Sequence, residues 1–555
     1  MYLRRMRVLA SLALALVLGA CASLPGGGGT PEYDLLIAGG RIVDGTGNPW
    51  FIGDVAVKGD RIAAVGRLPG ARARRTIDAR GLVVAPGFID MLGHSEYSLL
   101  EHPQAISKIT QGITSEITGE VTSAWPNTNL DDTPEEARRR ADPWTSLDGY
   151  FDHLEREGAA INLGTYVAAG SVRRAVMGDA SRRPTADEMR RMEALVDRAM
   201  RDGAMGFSTG LIYAPSTFFT TEELIALARR AAAYGGGYAS HIRSEGDSLL
   251  PAIREAIRIG SEAGTWTQVR HLKASQERNW GRMALAIALI DSARRAGLDV
   301  TADQYPYTAS GTGLTAILPT WVLAGGTDSM VARLGDSTVR QRLRDAGGEW
   351  RTRRAGSVLI NTVRSDSLRK YEGLRLDSVG VLRGQDPYEA AYDILVSDSG
   401  RVSAIYFSMS EDDVRLAMRQ PWISVGQDAG ARAAPDTSGR GRDHPRAWGS
   451  FPRILGRYVR EDSVIALEFA VRKMTSLAAQ RVGLDDRGVL KRGLYADITV
   501  FDPATVIDRA TFEVPQAVST GVRYVTVNGV LVLDDGCPTG ALPGRALRGP
   551  GHRAR

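Results

Sequence analysis

Apolar residues in this chain fall into eight short runs, 86–92, 114–119, 160–167, 204–208, 238–242, 267–272, 299–305 and 422–428, each of strand length and each ending in polar residues. Between several of them the spacing changes to i, i+3, i+4, as in TEELIALARRAAAYG (221–235), LLPAIREAIRIGSEAG (249–264) and RMALAIALIDSARRAG (283–297). That pattern predicts amphipathic helices, most of them with glycine stops. Strands and helices in alternation, with eight strands, predict an α/β fold and a (β/α)8 TIM-like barrel over residues 86–485. The interval 306–421 is longer than one crossover helix needs, so an insertion between strands 7 and 8 is expected there.

The texture differs at both ends. From Tyr33 to Ala85 the chain reads DLLIAGGRIVDG, DVAVKGDRIAAVG and GLVVAPG, short β-rich runs broken by Gly-Asp and Asp-Gly turns, and the same texture returns in ADITVFDP and VRYVTVNGVLVLDDG. Residues 33–85 and 486–540 are therefore expected to build one small β-sandwich, with 541–555 as a basic tail.

Residues 1–21 read MYLRRMRVLASLALALVLGAC: three arginines, an apolar run from Val8 to Leu18, then small residues before Cys21. This predicts a signal peptide over 1–20. Leu18-Gly19-Ala20-Cys21 resembles the lipobox of bacterial lipoproteins, which implies lipidation of Cys21, a tether over 21–32 that includes Gly26–Gly29, and a periplasmic face of the cell envelope as the location. An uncleaved anchor is the alternative, against which the shortness of the run counts. After processing only Cys537 remains, so the mature chain has no internal disulfide.

Composition narrows the function classes. Of 555 residues, 43% are apolar and 24% charged, which suits a large globular protein. The net charge of +5 gathers largely at the two ends and aromatic residues are 7%, so the clustered basic, stacking face of a nucleic-acid binder is not expected.

The strand ends carry the candidate chemistry. Carboxyl-terminal strand ends converge in a barrel, and the first, second, fifth, sixth and eighth bring His94, Glu120, His241, His271 and Asp428. A catalytic zinc takes three protein ligands and leaves a position for water, so His241, His271 and Glu120 make a candidate metal set. Glu120 has a second reading, as a helix cap or the partner of a basic residue. Asp428 is the candidate general base, or an Asx residue of the turn before Ala429-Gly430. His94 is a weak ligand, a donor to the scissile carbonyl, or a buried structural histidine. His444 closes over the site or anchors a turn.

Several phrases carry a family resemblance: VVAPGFIDMLGHSE, GFSTGLIYAPSTFFTTEELIALA, ASHIRSEGDSLLPAIREAI, HLKAS, LDVTADQYPYTASGTGL, FSMSEDDVRLAMRQPWISVGQDAG and HPRAWGSFPRILGRYVRED. The first resembles the entry motif of the amidohydrolase superfamily, and together, in this order from Tyr33 to about Gly549, they are similar to the N-acyl-D-amino-acid deacylases, or D-aminoacylases. The resemblance implies one tightly bound zinc ion and hydrolysis of an N-acyl-D-amino acid. It implies zinc binding by His241 and His271, catalysis by Asp428, and capture of the substrate α-carboxylate by Lys273 and Tyr305. Without it, Lys273 reads as a surface lysine and Tyr305 as a core aromatic. Arg243 is a further carboxylate candidate, or the partner of Glu245 or another acid.

The chain departs from the family pattern twice. The usual entry motif has two histidines flanking one residue, and here the first is Leu92. Where the family has Asn-Cys-Gly, this chain has Glu120-Val121-Thr122. The expectation is therefore one zinc on Glu120, His241 and His271, with Asp428 as base. Two rivals stand beside it: cleavage of a cyclic amide or dipeptide on the same barrel, and a lipid-anchored binding protein that no longer catalyses.

Overall fold

The computed structural model describes residues 31–126, 144–346, 354–435 and 442–553. The signal segment, Cys21 and most of the tether lie outside these residues.

Six parallel strands form one sheet in the order Ile423–Val425, Val300–Gln304, Thr267–Val269, Gly237–His241, Gly206–Gly210 and Val167–Ala168. Three more, Phe88–Asp90, Ile113–Thr118 and Asn162–Thr165, form a second parallel sheet. Backbone bonds link the sheets at both margins. On one side Asn162–Thr165 runs on into Val167–Ala168, and the Tyr166 amide donates to the Thr118 carbonyl at 2.9 Å. On the other, the Met91 amide donates to Val425 at 3.1 Å and the Asp428 amide to Leu92 at 2.7 Å.

Every position of Ile113–Thr118, Gly206–Gly210 and Gly237–His241 is buried, yet these strands are rich in Gly, Ser and Thr. Their hydroxyls satisfy one another: Thr209 Oγ1 lies 2.9 Å from Tyr238 Oη and 3.0 Å from Ser240 Oγ. Buried hydroxyls paired in this way escape the penalty of unmet hydrogen bonds.

The helices between strands begin where the sequence spells their caps. Thr185 and Glu188 form a capping box on Ala186–Asp202, and Thr220 and Glu223 form another on Thr221–Ala232. Each satisfies amide groups that the first turn leaves bare, worth about 1 kcal/mol. Leu249–Ala263 ends on Gly264 in a left-handed conformation, and Met283–Arg295 precedes Val300–Gln304.

The interval after Val300–Gln304 holds an antiparallel sheet of Ser310–Gly313, Ser403–Tyr406 and Val358–Thr362. It has its own apolar core, including Leu314, Val358, Ile360, Tyr392 and Leu395. The two chain ends meet in a nine-stranded sheet, where Val83–Pro86 pairs antiparallel with Ile498–Phe501. Its apolar side draws Ile37, Val55, Val57 and Ile77 from the first segment and Ile498 and Val500 from the last. The tail packs too: Arg545 pairs with Asp60 at 2.8 Å, and its carbonyl accepts from the Leu163 amide.

Candidate metal centre and substrate cavity

His241 closes its strand, His271 lies two residues beyond Thr267–Val269, and Asp428 three beyond Ile423–Val425. His271 and Asp428 take left-handed backbone angles, φ 33° and 57°. Such angles cost of order 1–3 kcal/mol each in a non-glycine residue, and here the sharp turns aim the side chains inward. Glu120 follows Gly119, whose φ of 88° and contact with the Tyr166 carbonyl leave no room for a side chain.

These turns bring the residues together. Glu120 Oε1 lies 3.0 Å from His271 Nε2 and 3.6 Å from His241 Nδ1, while Oε2 lies 3.7 Å from His94 Nε2. The imidazoles of His241 and His271 stand edge to face, 4.4 Å between centroids. His94 Nε2 is 2.9 Å from Asp428 Oδ1. One donor set is Glu120, His241 and His271; a second is His94, Glu120 and Asp428.

The first set fits a zinc ion on its own chemistry. Both ring nitrogens of His241 are buried without hydrogen-bond partners among the described residues, an arrangement a cation would relieve. His271 is also braced from behind: its Nδ1 is 2.7 Å from Lys273 Nζ and 3.0 Å from Glu245 Oε1, leaving Nε2 turned to Glu120. A carboxylate behind a ligating imidazole is the usual support of a metal site. Glu245, four residues after His241, is the part of this centre that the sequence reading passed over; its i+4 spacing was the available signal.

Charge follows the geometry. Burial works against the Glu120 carboxylate, but His271 and His241 hold it well below the usual carboxylate range. Burial and Lys273 act against protonation of His271, yet Glu120, Glu245 and Asp428 raise it to about 10. His94, opposed by burial, is raised to about 9 by its bond to Asp428 and by Glu120. Asp428 is depressed despite burial, chiefly by Arg446 and then His271. Two buried carboxylates, Glu120 and Asp428, thus face two imidazoles that they draw toward protonation.

Arg446 is the second omission. It comes from the HPRAWG phrase, its Nη1 is 2.6 Å from Asp428 Oδ2, and its guanidinium lies over the Tyr305 ring at 4.7 Å. Nothing in the local sequence joins it to Asp428, eighteen residues away. His444 settles as a turn anchor: Nε2 is 2.9 Å from the Ala309 carbonyl and Nδ1 accepts the Arg446 amide at 3.0 Å.

The centre floors a cavity of about 690 Å³ lined by His94, Glu120, His241, His271, Lys273, Asp428 and Arg446, and by insertion residues such as Thr312 and Tyr406. Lys273 is held by Glu245 at 2.5 Å. Tyr305 stands behind the wall, its hydroxyl buried and without a hydrogen-bond partner among the described residues. Arg243 is engaged elsewhere: it grips Glu255 at 2.9 Å and the Thr217 and Phe219 carbonyls, and is not among the lining residues.

Comparison with known proteins places this geometry. Residues 75–533 match the amidohydrolase family. An N-acyl-D-glutamate deacylase of Alcaligenes xylosoxydans xylosoxydans is 38% identical over 520 residues, 93% of this chain and 97% of the relative. The chain belongs to the amidohydrolase family. A D-aminoacylase of the same organism is 37% identical over 93% of this amidohydrolase and 97% of its own length. The crystal structure of N-acyl-D-glutamate deacylase from Bordetella bronchiseptica, complexed with zinc and a phosphonate inhibitor, matches with TM-score 0.79 and 36% identity, covering 93% of this chain and 99% of that one. The protein is thus a metal-dependent amidohydrolase.

Proposed function

We propose that this amidohydrolase is a zinc enzyme that cleaves the amide of N-acyl-D-amino acids to a carboxylate and a free D-amino acid. The observation that carries the reading is the meeting of Glu120, His241 and His271 beside the His94–Asp428 pair on the floor of one cavity. The names of the relatives support the substrate class.

Glu120, His241 and His271 would hold the ion, which when bound polarises an amide carbonyl and acidifies water. Asp428, kept ionised by Arg446, accepts the proton of the attacking water on a carboxylate oxygen and passes it to the amide nitrogen as the C–N bond breaks. His94, which lines the cavity beside Asp428, would face the carbonyl oxygen as a hydrogen-bond donor. Lys273 and Arg446, both backed by the Tyr305 ring, form the corner that receives the substrate α-carboxylate. Arg243 has no part in it, since Glu255 occupies its guanidinium.

One ion is the reading for this chain. The second donor set shares Glu120 with the first, lacks the donor that Leu92 replaces, and has Asp428 committed to Arg446. The backbone bonds from Met91 to Val425 and from Asp428 to Leu92 support a closed eight-stranded barrel, and the joint core of the two chain ends supports a β-sandwich beside it. Export and lipidation at Cys21 rest on the sequence of 1–21. Among the described residues no helix is long and apolar enough to cross a membrane.

The test is metal analysis alongside turnover of paired N-acetyl-D- and N-acetyl-L-glutamate, aspartate and leucine, with a hydantoin as the cyclic amide. One zinc per chain and hydrolysis of D-substrates that Asp428→Asn abolishes are the expected results. Near-zero zinc with activity surviving Asp428→Asn, or turnover of the hydantoin alone, overturns the reading.

A further inference from the structure

Below the cavity floor lies a charged cluster that the reaction above does not use. Lys108, Asp90 and Glu116 are each wholly buried. Lys108 Nζ donates to Asp90 Oδ2 at 2.9 Å and to the Ala429 carbonyl at 2.8 Å, and lies 3.3 Å from Glu116 Oε1. Three ammonium protons thus face three oxygens, so none is left for a substrate, and Lys108 does not line the cavity.

Every arm of the cluster ends on the segment that carries Asp428. Asp90 Oδ1 accepts the Gln427 amide at 2.8 Å and the Leu92 amide at 3.2 Å. Lys108 holds the carbonyl of Ala429, the next residue on the other side of Asp428. Glu116 Oε1 accepts from Ser95 Oγ at 2.8 Å, and Ser95 Oγ accepts the Ala431 amide at 2.7 Å. The segment 427–431 is therefore pinned on both flanks of Asp428, whose backbone sits in a left-handed conformation that needs outside support. The same short stretch of chain reaches the other partner of the pair: Gln111 Nε2 donates to the Ala447 carbonyl at 3.0 Å, and Gln427 Nε2 to the same oxygen at 2.9 Å, one residue from Arg446.

We propose that the buried bracket of Lys108, Asp90, Glu116 and Ser95 positions Asp428 for proton transfer, with Lys108 as its central positioning residue. Lys108 is the shared cation that faces both buried carboxylates and the Ala429 carbonyl, so its removal would leave the acceptors that hold the Asp428 segment without their common donor. The bracket touches neither substrate nor the three residues assigned to zinc. Its loss is expected to slow the chemical step while leaving binding and metal content in place. The inference rests on the reading of Asp428 as the proton-transfer group.

The experiment uses the full-length enzyme and whichever N-acetyl-D-amino acid it turns over fastest. Glu116→Gln, which removes one of the two carboxylates facing Lys108 and keeps the arms to Asp90 and Ala429, serves as the background. Lys108→Met in that background is expected to lower kcat by about 100-fold or more, with KM within threefold and zinc content unchanged. Equal kcat in the two proteins, or a loss that follows KM or zinc, overturns the proposal. Should the Lys108 variant not fold, Ser95→Ala decides, since it cuts the Ala431 arm and leaves no buried charge unpaired. A kcat reduced threefold or more at constant KM supports the bracket, and a kcat within twofold of wild type overturns it. A wild type without activity on any N-acetyl-D-amino acid would instead remove the underlying functional reading, a result distinct from these.

Discussion

Arg446 and Asp428 form an ion pair, 2.6 Å from Nη1 to Oδ2, with the guanidinium 6% and the carboxylate 10% exposed. This one contact sets the charge of the group expected to move the proton, and it leaves Oδ1 to His94 at 2.9 Å. Arg446→Met should let the Asp428 carboxylate rise toward its ordinary range, and it also removes a cation from the α-carboxylate corner. The expected outcome is a kcat/KM lower by 100-fold or more, of order 3 kcal/mol, with the acid limb of the pH–kcat profile moved to higher pH. Arg446→Lys should recover only part of the loss, because an ammonium cannot span Asp428 and a substrate carboxylate as a planar fork does. Steady-state kinetics across pH 5–9 checks both.

Metal retention should depend on Glu120 and Glu245 in different degrees. Glu120→Ala removes a ligand, so the purified protein is expected to carry little zinc. Glu245→Gln leaves the ligands but weakens the brace on His271 Nδ1, for an expected 10- to 100-fold loss of zinc affinity. Competition with a chromogenic chelator measures both.

Leu92→His restores the imidazole that the entry motif lacks. Leu92 sits beside His94, and its carbonyl accepts the Asp428 amide, so the new ring would be tethered to the loop of the second donor set. The expected result is a rise from one metal ion per chain toward two in excess zinc. Stoichiometry unchanged after metal loading, with the variant folded, would count against Leu92 as the reason for a single ion.

Stability should fall in mild acid because of His444. Burial, reinforced by Arg446, holds this imidazole well below its ordinary value of 6.5. Above 6.5 both folded and unfolded forms are neutral there and nothing is lost. As pH drops below 6.5 only the unfolded chain takes the proton, so the folded state loses up to about 1.4 kcal/mol per pH unit until the folded value is reached. Denaturant unfolding of the zinc-loaded protein between pH 7 and 5 should show a steeper decline for wild type than for His444→Asn. Equal slopes would remove His444 as the cause.

The parallel strands were legible because a strand buried on both faces reads as a compact run, and their polar ends marked where chemistry gathers. His94, Glu120, His241, His271 and Asp428 could be named from those ends. Glu245 and Arg446 were harder: one braces His271 from four residues past His241, and the other meets Asp428 from eighteen residues on, beyond what local periodicity describes. Arg243 shows the converse, a plausible carboxylate binder in sequence whose charge is taken by Glu255, twelve residues on and folded back against it.

By itself the sequence determined the alternation of strands and helices, the caps that start the helices, the membership of the strand-end set and the two gaps at Leu92 and Val121. These depend on residue type and spacing, which the chain carries at every point. Only the tertiary structure decided which oxygen of Glu120 faces His271, that Arg446 stands against Asp428, and that Lys108 lies beneath them. Those relationships join residues up to 321 positions apart, as Lys108 and Ala429 are, and are set by close packing and paired buried charges, which no local stretch encodes.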